Sequence, residues 1–280
     1  MSTGKWTRLI RFVAQDGQTY FGQPTSVDSK GYLPSGIKAR VITGNPLGSY
    51  KITDQVVEVK TLLAPLERVP IFICIGLNYR KHAAEAGMPT PPHPIIFTKP
   101  SMAAAGPDEA VRIPKVAQDK SADFEAELGV VIGKTCRNVS EQDALQYVAG
   151  YTVCNDISAR KWQRSTSQWT FGKSFDTFGP YGPQIVSTSE IADAGTLDLK
   201  LRLNGKELQN SNTSDLIFNI RQIIAHCSKG TTLEAGTVIM TGTPEGVGMA
   251  RKPPVYMKDG DILETEIEKI GILRNKIQHE

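Results

Sequence analysis

Three carboxylates stand at alternate positions and lead directly into an apolar run. Asp123, Glu125 and Glu127 are followed by Leu-Gly-Val-Val-Ile at 128–132. If this segment is a β-strand, its side-chain period of two places the three carboxylates on one face. Carboxylates crowded on one face repel each other, and burying an unpaired one is costly. The segment must therefore lie at an exposed edge or hold a cation.

A hard divalent cation would remove both penalties. Mg²⁺ prefers oxygen ligands in near-octahedral geometry and keeps water or substrate oxygens in part of its shell. Asp156 follows a second apolar stretch, residues 151–154, and would supply a third carboxylate from a neighbouring strand. We therefore predict a Mg²⁺ site formed by Glu125, Glu127 and Asp156. The alternative is an exposed acidic edge with an unrelated turn aspartate, because Glu-x-Glu alone is a weak pattern.

Turn residues divide the first part of the chain into short apolar stretches. Residues 5–66 alternate between such stretches and clusters of Gly, Pro, Asn and Ser, which predicts strands joined by turns. The segment 63–70 contains two prolines and is the expected linker. We predict a small N-terminal β-rich domain over residues 1–68 and a catalytic domain over residues 69–280.

Beyond the linker, the sequence mixes strands with three helices. Residues 71–76 are a continuous apolar run, which is typical of a strand buried on both faces. Helices framed by a cap residue and a glycine are expected at 78–85, 141–149 and 216–227. Further strands are expected at 197–203, 237–241 and 262–267. The predicted fold class is α+β, mainly β.

Two polar pairs are candidates for the chemistry. His82 and Glu85 stand three residues apart on the first helix, so they would share a face and act as a base and its orienting partner. Arg160 and Gln163 follow Asp156 by four and seven residues, a helical-face spacing that would direct them past the metal. The alternatives are an ordinary surface pair and a solvated helix face.

Two glycine-containing loops offer further contacts to a ligand. Residues 171–180 place Lys173 among aromatics and glycines, where the backbone can approach a ligand and the lysine is available to an anion. Residues 241–248 follow an apolar stretch and would present backbone N–H groups and the Thr243 hydroxyl to a carboxylate or oxyanion. The alternatives are an ordinary tight loop and a plain connection between strands.

Composition narrows the partners of the chain. The formal net charge is only +3 and no long basic run occurs, so nucleic-acid binding is not expected. No apolar run approaches the roughly 20 residues that span a bilayer, and no membrane partner is expected. The four cysteines show no Cys-x-x-Cys spacing and are predicted to be reduced core residues. A cytoplasmic location is expected, with a mitochondrial one left open.

Six segments of the chain form an ordered set of motifs. The segments are Gly-Leu-Asn-Tyr-Arg-Lys-His-Ala-Ala-Glu at 76–85, Phe-Thr-Lys-Pro at 97–100, Asp-Phe-Glu-Ala-Glu-Leu at 123–128, Asn-Asp-Ile-Ser-Ala-Arg at 155–160, Gly-Lys-Ser-Phe-Asp-Thr-Phe at 172–178 and Thr-Gly-Thr-Pro at 241–244. In this order they resemble motifs of the fumarylacetoacetate hydrolase family, especially its smaller acylpyruvase and oxaloacetate-acting members. The resemblance spans about residues 71–275, and the first seventy residues carry little of it.

The resemblance implies a fold, a cofactor and a set of site residues. It implies a mixed β-sandwich roll for the catalytic domain, Mg²⁺ or Mn²⁺ on the three carboxylates, and a homodimer. It further implies that the segment carrying His82 and Glu85 is a lid that becomes ordered when substrate binds, and that Lys173 belongs to the active centre. The positions at which relatives contact substrate are Arg160, Gln163 and Thr243.

A small 2-oxo acid is the predicted substrate, because its keto and carboxylate oxygens can chelate such a metal. The first hypothesis is hydrolysis of a carbon–carbon bond in an acylpyruvate, with His82, assisted by Glu85, activating a water molecule. Decarboxylation of an oxaloacetate-type substrate and keto–enol tautomerisation pass through the same enolate and are the alternatives at this site. A non-catalytic binding module is the alternative of another class.

Overall fold

Strands dominate the computed structural model, which describes residues 5–280. They account for 41% of the chain, and helices together with short 3₁₀ turns account for 14%, so the expectation of a mainly β protein is confirmed. The strands are β1 (Arg8–Ala14), β2 (Thr19–Pro24), β3 (Lys38–Gly44), β4 (Tyr50–Leu63), β5 (Ile71–Gly76), β6 (Ile95–Pro100), β7 (Ala104–Ala105), β8 (Val111–Ile113), β9 (Ala122–Asp123), β10 (Ala126–Ile132), β11 (Val148–Asn155), β12 (Ser158–Ala159), β13 (Gly179–Ser187), β14 (Asp198–Leu203), β15 (Lys206–Asn212), β16 (Val238–Met240), β17 (Ile262–Ile267) and β18 (Gly271–His279). The helices are α1 (Arg80–Glu85), α2 (Arg160–Gln163), α3 (Thr170–Lys173) and α4 (Ile220–Cys227).

The strands form two packed sheets and one short ladder between β9 and β12. The large sheet has eleven strands in the order β2-β3-β4-β1-β13-β11-β10-β16-β5-β6, with β7 beside β13. The second sheet runs β15-β14-β17-β18-β8 and packs across β10, β11 and β13. Most pairs are antiparallel, but β5 with β16, β7 with β13 and β8 with β18 are parallel. The expected mixed β-sandwich is confirmed.

Strand β10 lies inside the large sheet and is buried along its whole length. It pairs with β11 on one side and with β16 on the other. Its alternating side chains enter two different apolar clusters, because Leu128 and Val130 pack on one side of the sheet and Val131 on the other. The apolar run at 128–132 is therefore a strand buried on both faces.

The N-terminal strands continue the large sheet. Strands β1 to β4 form an antiparallel group, and β1 joins β13 through the pairs Arg8↔Val186 and Leu9↔Ile185. The guanidinium of Arg8 also donates to the carbonyl of Lys269 at 3.2 Å, which ties β1 to the turn between β17 and β18. The division of the chain between residues 68 and 69 stays a prediction.

The helix expected over residues 141–149 is not formed, and that prediction was wrong. Its local start signal is present, since Ser140 Oγ donates to Asp143 Oδ2 at 2.7 Å. Only a short 3₁₀ turn, Ala144–Tyr147, follows. From residue 148 the chain enters β11, which pairs with both β10 and β13. Two backbone ladders and full burial outweigh a local preference for helix.

The other two expected helices are shorter than the sequence indicated. Helix α1 begins at Arg80, because the Asn78 side chain donates to two backbone carbonyls in distant loops instead of capping the helix. Helix α4 begins at Ile220, where Asn219 and Gln222 form a reciprocal capping box. The strands expected at 197–203, 237–241 and 262–267 are confirmed as β14, β16 and β17.

The four cysteines, Cys74, Cys136, Cys154 and Cys227, are buried and free, as predicted. Burial raises the pKa of the Cys227 thiol to about 12, which keeps it protonated. Within residues 5–280 no helix has the length and apolar character needed to cross a membrane.

Candidate active site

The pairing of β10 with β11 brings the three predicted metal ligands together. Ala126 stands opposite Asn155 in this ladder, so the residues just before β10 face those just after β11. The backbone N–H of Asp156 donates to the carbonyl of Glu125 at 2.8 Å, and the N–H of Glu125 donates to Asn155 Oδ1 at 3.0 Å. Glu125, Glu127 and Asp156 each offer an oxygen within 4.8 Å of the others. We call this cluster, together with the buried charged side chains in contact with it, the floor of the site.

Asp123 does not share the face of Glu125 and Glu127, so that expectation was wrong. The strand is interrupted, because β9 ends at Asp123 and β10 begins at Ala126. Asp123 instead accepts hydrogen bonds from Arg160 Nε at 2.8 Å and from the backbone N–H groups of residues 248 and 249. Its carboxylate orients Arg160 and is satisfied without a metal.

Lys173 and Arg160 place positive charge directly on the floor. Lys173 Nζ lies 2.8 Å from Glu125 Oε2 and 2.6 Å from Asp156 Oδ2, and Arg160 Nη2 lies 2.6 Å from Glu125 Oε1. Burial lowers the pKa of Lys173, but Asp156 and Glu125 outweigh burial and raise it above the ordinary value. Lys173 is therefore an ammonium and serves as a hydrogen-bond donor at this site.

Lys99 is a floor residue to which sequence reasoning assigned no role. Its side chain is fully buried, and Nζ lies 2.5 Å from Asp156 Oδ1. The same ammonium donates to the carbonyls of Ile157, Lys173 and Phe178 at 3.0, 2.7 and 2.6 Å. Lys99 thus joins the loop after β11 to the loop after α3. The available signal was a lysine in strand β6, which is otherwise apolar except for Thr98.

The two glutamates of the floor differ in their electrostatic surroundings. Burial raises the pKa of Glu125, but the charges of Arg160 and Lys173 more than offset burial, so its pKa lies well below the ordinary value. Burial raises the pKa of Glu127 as well, and the charges of Asp156 and Glu125 raise it further. No lysine or arginine within residues 5–280 forms an ion pair with Glu127.

The charges of the floor fit a divalent cation. Four buried carboxylates lie together with three buried cations, so the sum of their formal charges is −1. The carboxylates are Asp123, Glu125, Glu127 and Asp156, and the cations are Lys99, Arg160 and Lys173. Asp156 Oδ1 is buried and accepts no well-aligned hydrogen bond, although Lys99 lies beside it. Such oxygens suit Mg²⁺ or Mn²⁺. A divalent ion would bring the formal sum to +1, which would favour an anionic substrate. The residues that would hold the ion are Glu125, Glu127 and Asp156.

The loop after β16 supports the floor instead of presenting the N–H group of Gly242 to a ligand. The backbone N–H of Gly242 donates to Glu127 Oε2 at 2.6 Å, so it is not free for an oxyanion as the sequence suggested. Thr243 does line the pocket above the floor. Gln209, which sequence reasoning missed, donates to Thr243 Oγ1 and accepts from the N–H of Ala126, both at 2.9 Å.

Helix α1 places His82 and Glu85 at the rim of the pocket. His82 Nδ1 lies 2.9 Å from Glu85 Oε2, and Glu85 Oε1 accepts from the backbone N–H of Gly246 at 2.9 Å. Burial raises the pKa of Glu85, but the hydrogen bonds from His82 and Gly246 outweigh burial and lower it. Since Glu85 is ionised and can only accept, Nδ1 of His82 donates to it, and in a neutral imidazole Nε2 then carries the free lone pair.

Eight of the nine candidate residues line one cavity of about 300 Å³. Glu85 is the exception and reaches the cavity only through His82. Arg160 Nη1 donates to Gln163 Oε1 at 2.9 Å, which fixes the amide beside the floor. The remaining lining is largely apolar and comes from Ile75, Leu77, Met88, Phe97, Trp169 and Met249. The arrangement can hold a small anion over the carboxylates and exchange a proton with it at His82.

A mainly β enzyme with a carboxylate cluster suited to a divalent cation is the class that this fold and site define. The sequence profile of the fumarylacetoacetate hydrolase C-terminal family matches residues 71–278. The chain belongs to the fumarylacetoacetate hydrolase family.

Relatives of known name support this assignment. The chain is 50% identical over 226 residues to the fumarylacetoacetate hydrolase domain-containing protein 2 homolog of Dictyostelium discoideum, covering 77% of this chain and 73% of the relative. It is 46% identical over 219 residues to the mitochondrial oxaloacetate tautomerase fahd2 of Xenopus laevis, covering 78% and 68%. A crystal structure of 2-hydroxyhepta-2,4-diene-1,7-dioate isomerase from Mycobacterium marinum superposes with a TM-score of 0.83 at 35% identity, covering 98% of this chain and 99% of the other.

Proposed function

We propose that the chain is a divalent-metal-dependent enzyme that enolises a small 2-oxo acid and that its reaction is keto–enol tautomerisation. The observation that carries the proposal is the convergence of Glu125, Glu127 and Asp156 beneath a small cavity whose rim carries His82. Tautomerisation is placed ahead of hydrolysis because relatives at 44 to 46% identity are oxaloacetate tautomerases and similar structures are those of isomerases.

The floor residues would bind and polarise the substrate. When bound, Mg²⁺ or Mn²⁺ would supply Lewis-acid stabilisation to the oxygen on which negative charge develops. Lys173 and Arg160 are held as cations by the carboxylates around them. Both line the cavity and would donate hydrogen bonds to the carboxylate or keto oxygen of the substrate. Gln163, which Arg160 orients, would contribute an amide to the same end.

The rim residue His82 would move the proton. Its Nε2 is the free basic nitrogen, because Nδ1 donates to Glu85. Enolisation takes a proton from the carbon next to the keto group, and ketonisation returns one. A histidine can perform both steps near neutral pH. Glu85 would hold the imidazole in one tautomer and stabilise its protonated form between the two steps.

Hydrolysis of an acylpyruvate is the second candidate. It is favoured by the same His82–Glu85 pair, whose side chains are 16% and 24% exposed, so water can reach the imidazole. In that reaction His82 would deprotonate a water that attacks the distal carbonyl. An oxaloacetate-type decarboxylation needs no such water and would not depend on His82 to the same degree.

One comparison of substrates separates these reactions. The metal-free protein would be reconstituted with Mg²⁺ and supplied with the enol form of oxaloacetate and, separately, with acetylpyruvate. We expect faster ketonisation of oxaloacetate by ultraviolet absorbance and no release of acetate or CO₂ above the uncatalysed rate. Acetate release would favour hydrolysis, and CO₂ release would favour decarboxylation. Failure to bind Mg²⁺ and oxalate by calorimetry would support a binding module without metal chemistry.

We also propose that the chain forms a homodimer. An apolar surface outside the pocket supports the proposal, since Val116 and Phe171 are 57% and 56% exposed. Trp162 joins them, with its ring centroid 5.1 Å from that of Phe171 and its Nε1 donating to the carbonyl of Val116. Analytical ultracentrifugation of wild type and Phe171→Asp tests this, with a shift toward monomer expected for the variant.

A further inference from the structure

The mouth of the pocket carries one cation that no carboxylate neutralises. Arg164 lines the pocket, and its guanidinium forms no ion pair with any carboxylate of residues 5–280. Its side chain makes only a weak contact, from Nη2 to Met249 Sδ at 3.9 Å. By contrast, each of the three floor cations contacts at least one carboxylate.

The backbone aligns Arg164 with the floor arginine. Arg164 directly follows α2, and its N–H donates to the carbonyl of Arg160 at 3.1 Å. Residues four apart on a helical turn lie on the same side. Arg160 is buried and held by Asp123 and Glu125, whereas Arg164 is exposed. Like charges at this spacing destabilise a helix, so a second arginine beside the first benefits from an anion at the mouth.

No other charged side chain of the pocket lining is left for a second carboxylate. Apart from Arg164 itself and His82, which the proposed proton transfer occupies, the lining beyond the floor is uncharged and mostly apolar, with Met88, Trp169 and Met249 among its members and Gln163, Thr166 and Thr243 as its polar members. An apolar wall disfavours a charged group that approaches it. A guanidinium, in contrast, matches a carboxylate through two parallel hydrogen bonds.

We infer that Arg164 determines specificity by binding the distal carboxylate of a 2-oxo dicarboxylate whose 2-oxo acid end lies over the floor. The inference rests on the proposed function for the placement of that end. It adds that the second charge of the substrate, and not only its 2-oxo acid group, is recognised. Substrates whose distal end is a methyl or alkyl group would lack this contact and would gain nothing from Arg164.

A matched pair of substrates tests the inference. Oxaloacetate and 2-oxopentanoate share the 2-oxo acid and the adjacent CH₂ group, and only oxaloacetate has a distal carboxylate. Exchange of the C3 protons for deuterium, followed by NMR with Mg²⁺ and corrected for uncatalysed exchange, gives kcat and KM for both. The variants are Arg164→Met and Arg164→Lys. The control is Lys161→Met, which removes one positive charge from α2 outside the cavity lining.

We expect Arg164→Met to lower kcat/KM for oxaloacetate by roughly tenfold, the effect of a lost charge-assisted hydrogen bond. The loss for oxaloacetate should appear as a higher KM with little change in kcat. For 2-oxopentanoate, kcat/KM should change by less than about twofold. Arg164→Lys should be intermediate, and the control should match wild type. Equal losses for both substrates would overturn the inference and leave the proposed function standing.

A binding measurement keeps the two proposals separable. If wild type exchanges C3 protons on neither substrate, the proposed function fails. Calorimetric titration of the Mg²⁺-loaded protein with malate and with lactate, which also differ by one carboxylate, then decides the inference on its own. A malate-to-lactate affinity ratio near one, or a ratio that Arg164→Met leaves unchanged, would overturn it. A ratio of roughly ten or more that falls in the variant would support it.

Discussion

The floor and the rim of the pocket use the same residue types in opposite ways. On the floor, Lys99, Lys173 and Arg160 are at most 5% exposed and contact the carboxylates. At the rim, Arg164 is exposed and has no carboxylate partner among residues 5–280, and His82 and Glu85 are partly exposed. Buried charges must be paired, whereas exposed charges are hydrated and can remain unpaired until a ligand binds. The paired charges of the floor therefore fix the positions of its carboxylates, whereas the rim side chains are accessible to solvent and substrate.

Removing the one floor carboxylate without a cation partner should have the largest effect. We expect Glu127→Gln to lower metal-dependent turnover by about 10³-fold, because Glu127 is a proposed metal ligand. The amide can still accept from Gly242, so the fold should persist. Burial and the neighbouring carboxylates raise the pKa of Glu127, and a raised carboxyl pKa disfavours the charged folded state above the unfolded pKa. The metal-free variant should therefore be at least as stable as wild type at pH 7.

Enzyme assays and urea unfolding of the metal-free proteins measure both effects of Glu127→Gln. Glu58→Gln, on the exposed side of β4, is the matched control and should change neither quantity. Wild-type turnover in Glu127→Gln would remove Glu127 from the metal site. A free energy of unfolding well below that of wild type would show that Glu127 supports the fold and that the lost activity reflects unfolding.

Removing a floor cation should unfold the site. We expect Lys99→Met to lower the free energy of unfolding by about 3–5 kcal/mol, because Asp156 and three carbonyls lose their buried donor. Lys60→Met, at an exposed position of β4, and Arg164→Met at the rim should each change it by less than about 0.5 kcal/mol. Urea denaturation of the metal-free proteins measures the difference. Similar losses of unfolding free energy in Lys99→Met and Arg164→Met would contradict the distinction between floor and rim.

Removing the proposed base at the rim should affect catalysis alone. We expect His82→Ala to lower kcat for tautomerisation by roughly 100-fold, with the Mg²⁺ affinity unchanged, because His82 is not part of the carboxylate cluster. His93→Ala is the control, since its ring stacks on His226 and does not line the pocket. Stopped-flow absorbance and calorimetry give the two quantities. Loss of Mg²⁺ binding in His82→Ala would contradict a purely rim role.

The smallest expected effect is a pH-dependent contribution of Glu85 to stability. Its pKa is lowered in the folded state, so its contribution is present above the unfolded pKa and is lost as the pH falls through the folded value. The difference in unfolding free energy between wild type and Glu85→Gln should be below about 1 kcal/mol at pH 7, because the pair is partly exposed and screened. It should vanish toward pH 3. A difference that grows as the pH falls would show that folding raises the pKa of Glu85 instead of lowering it.

Sequence patterns located the floor carboxylates because their spacing follows the geometry of a strand. Glu125 and Glu127 lead into a buried strand, and Asp156 directly follows its neighbour β11. The same rule failed at Asp123, because a two-residue break between β9 and β10 turns its side chain to Arg160. Alternation assigns a face only while the strand is continuous.

Long-range contacts account for the residues that the sequence did not reveal. Lys99 and Gln209 contact the floor from positions 58 and 83 residues away from their partners Ile157 and Ala126. The surrounding sequence indicates no role for Gln209, and for Lys99 it shows only a lysine after an apolar run. The wrong helix at 141–149 has the same origin, since its capping signal is local while the pairing of β11 with β10 and β13 is not.

The segments that carry the floor carboxylates are anchored to both sheets, since Gln209 in β15 bonds the N–H of Ala126, and Asn155 bonds Thr265 in β17. These bonds fix the carboxylates relative to both sheets, whereas the rim side chains His82 and Glu85 are partly exposed. Rim side chains can therefore differ among homologous enzymes that share the same framework. New substrate preferences would arise there by single substitutions that leave the carboxylate framework unchanged.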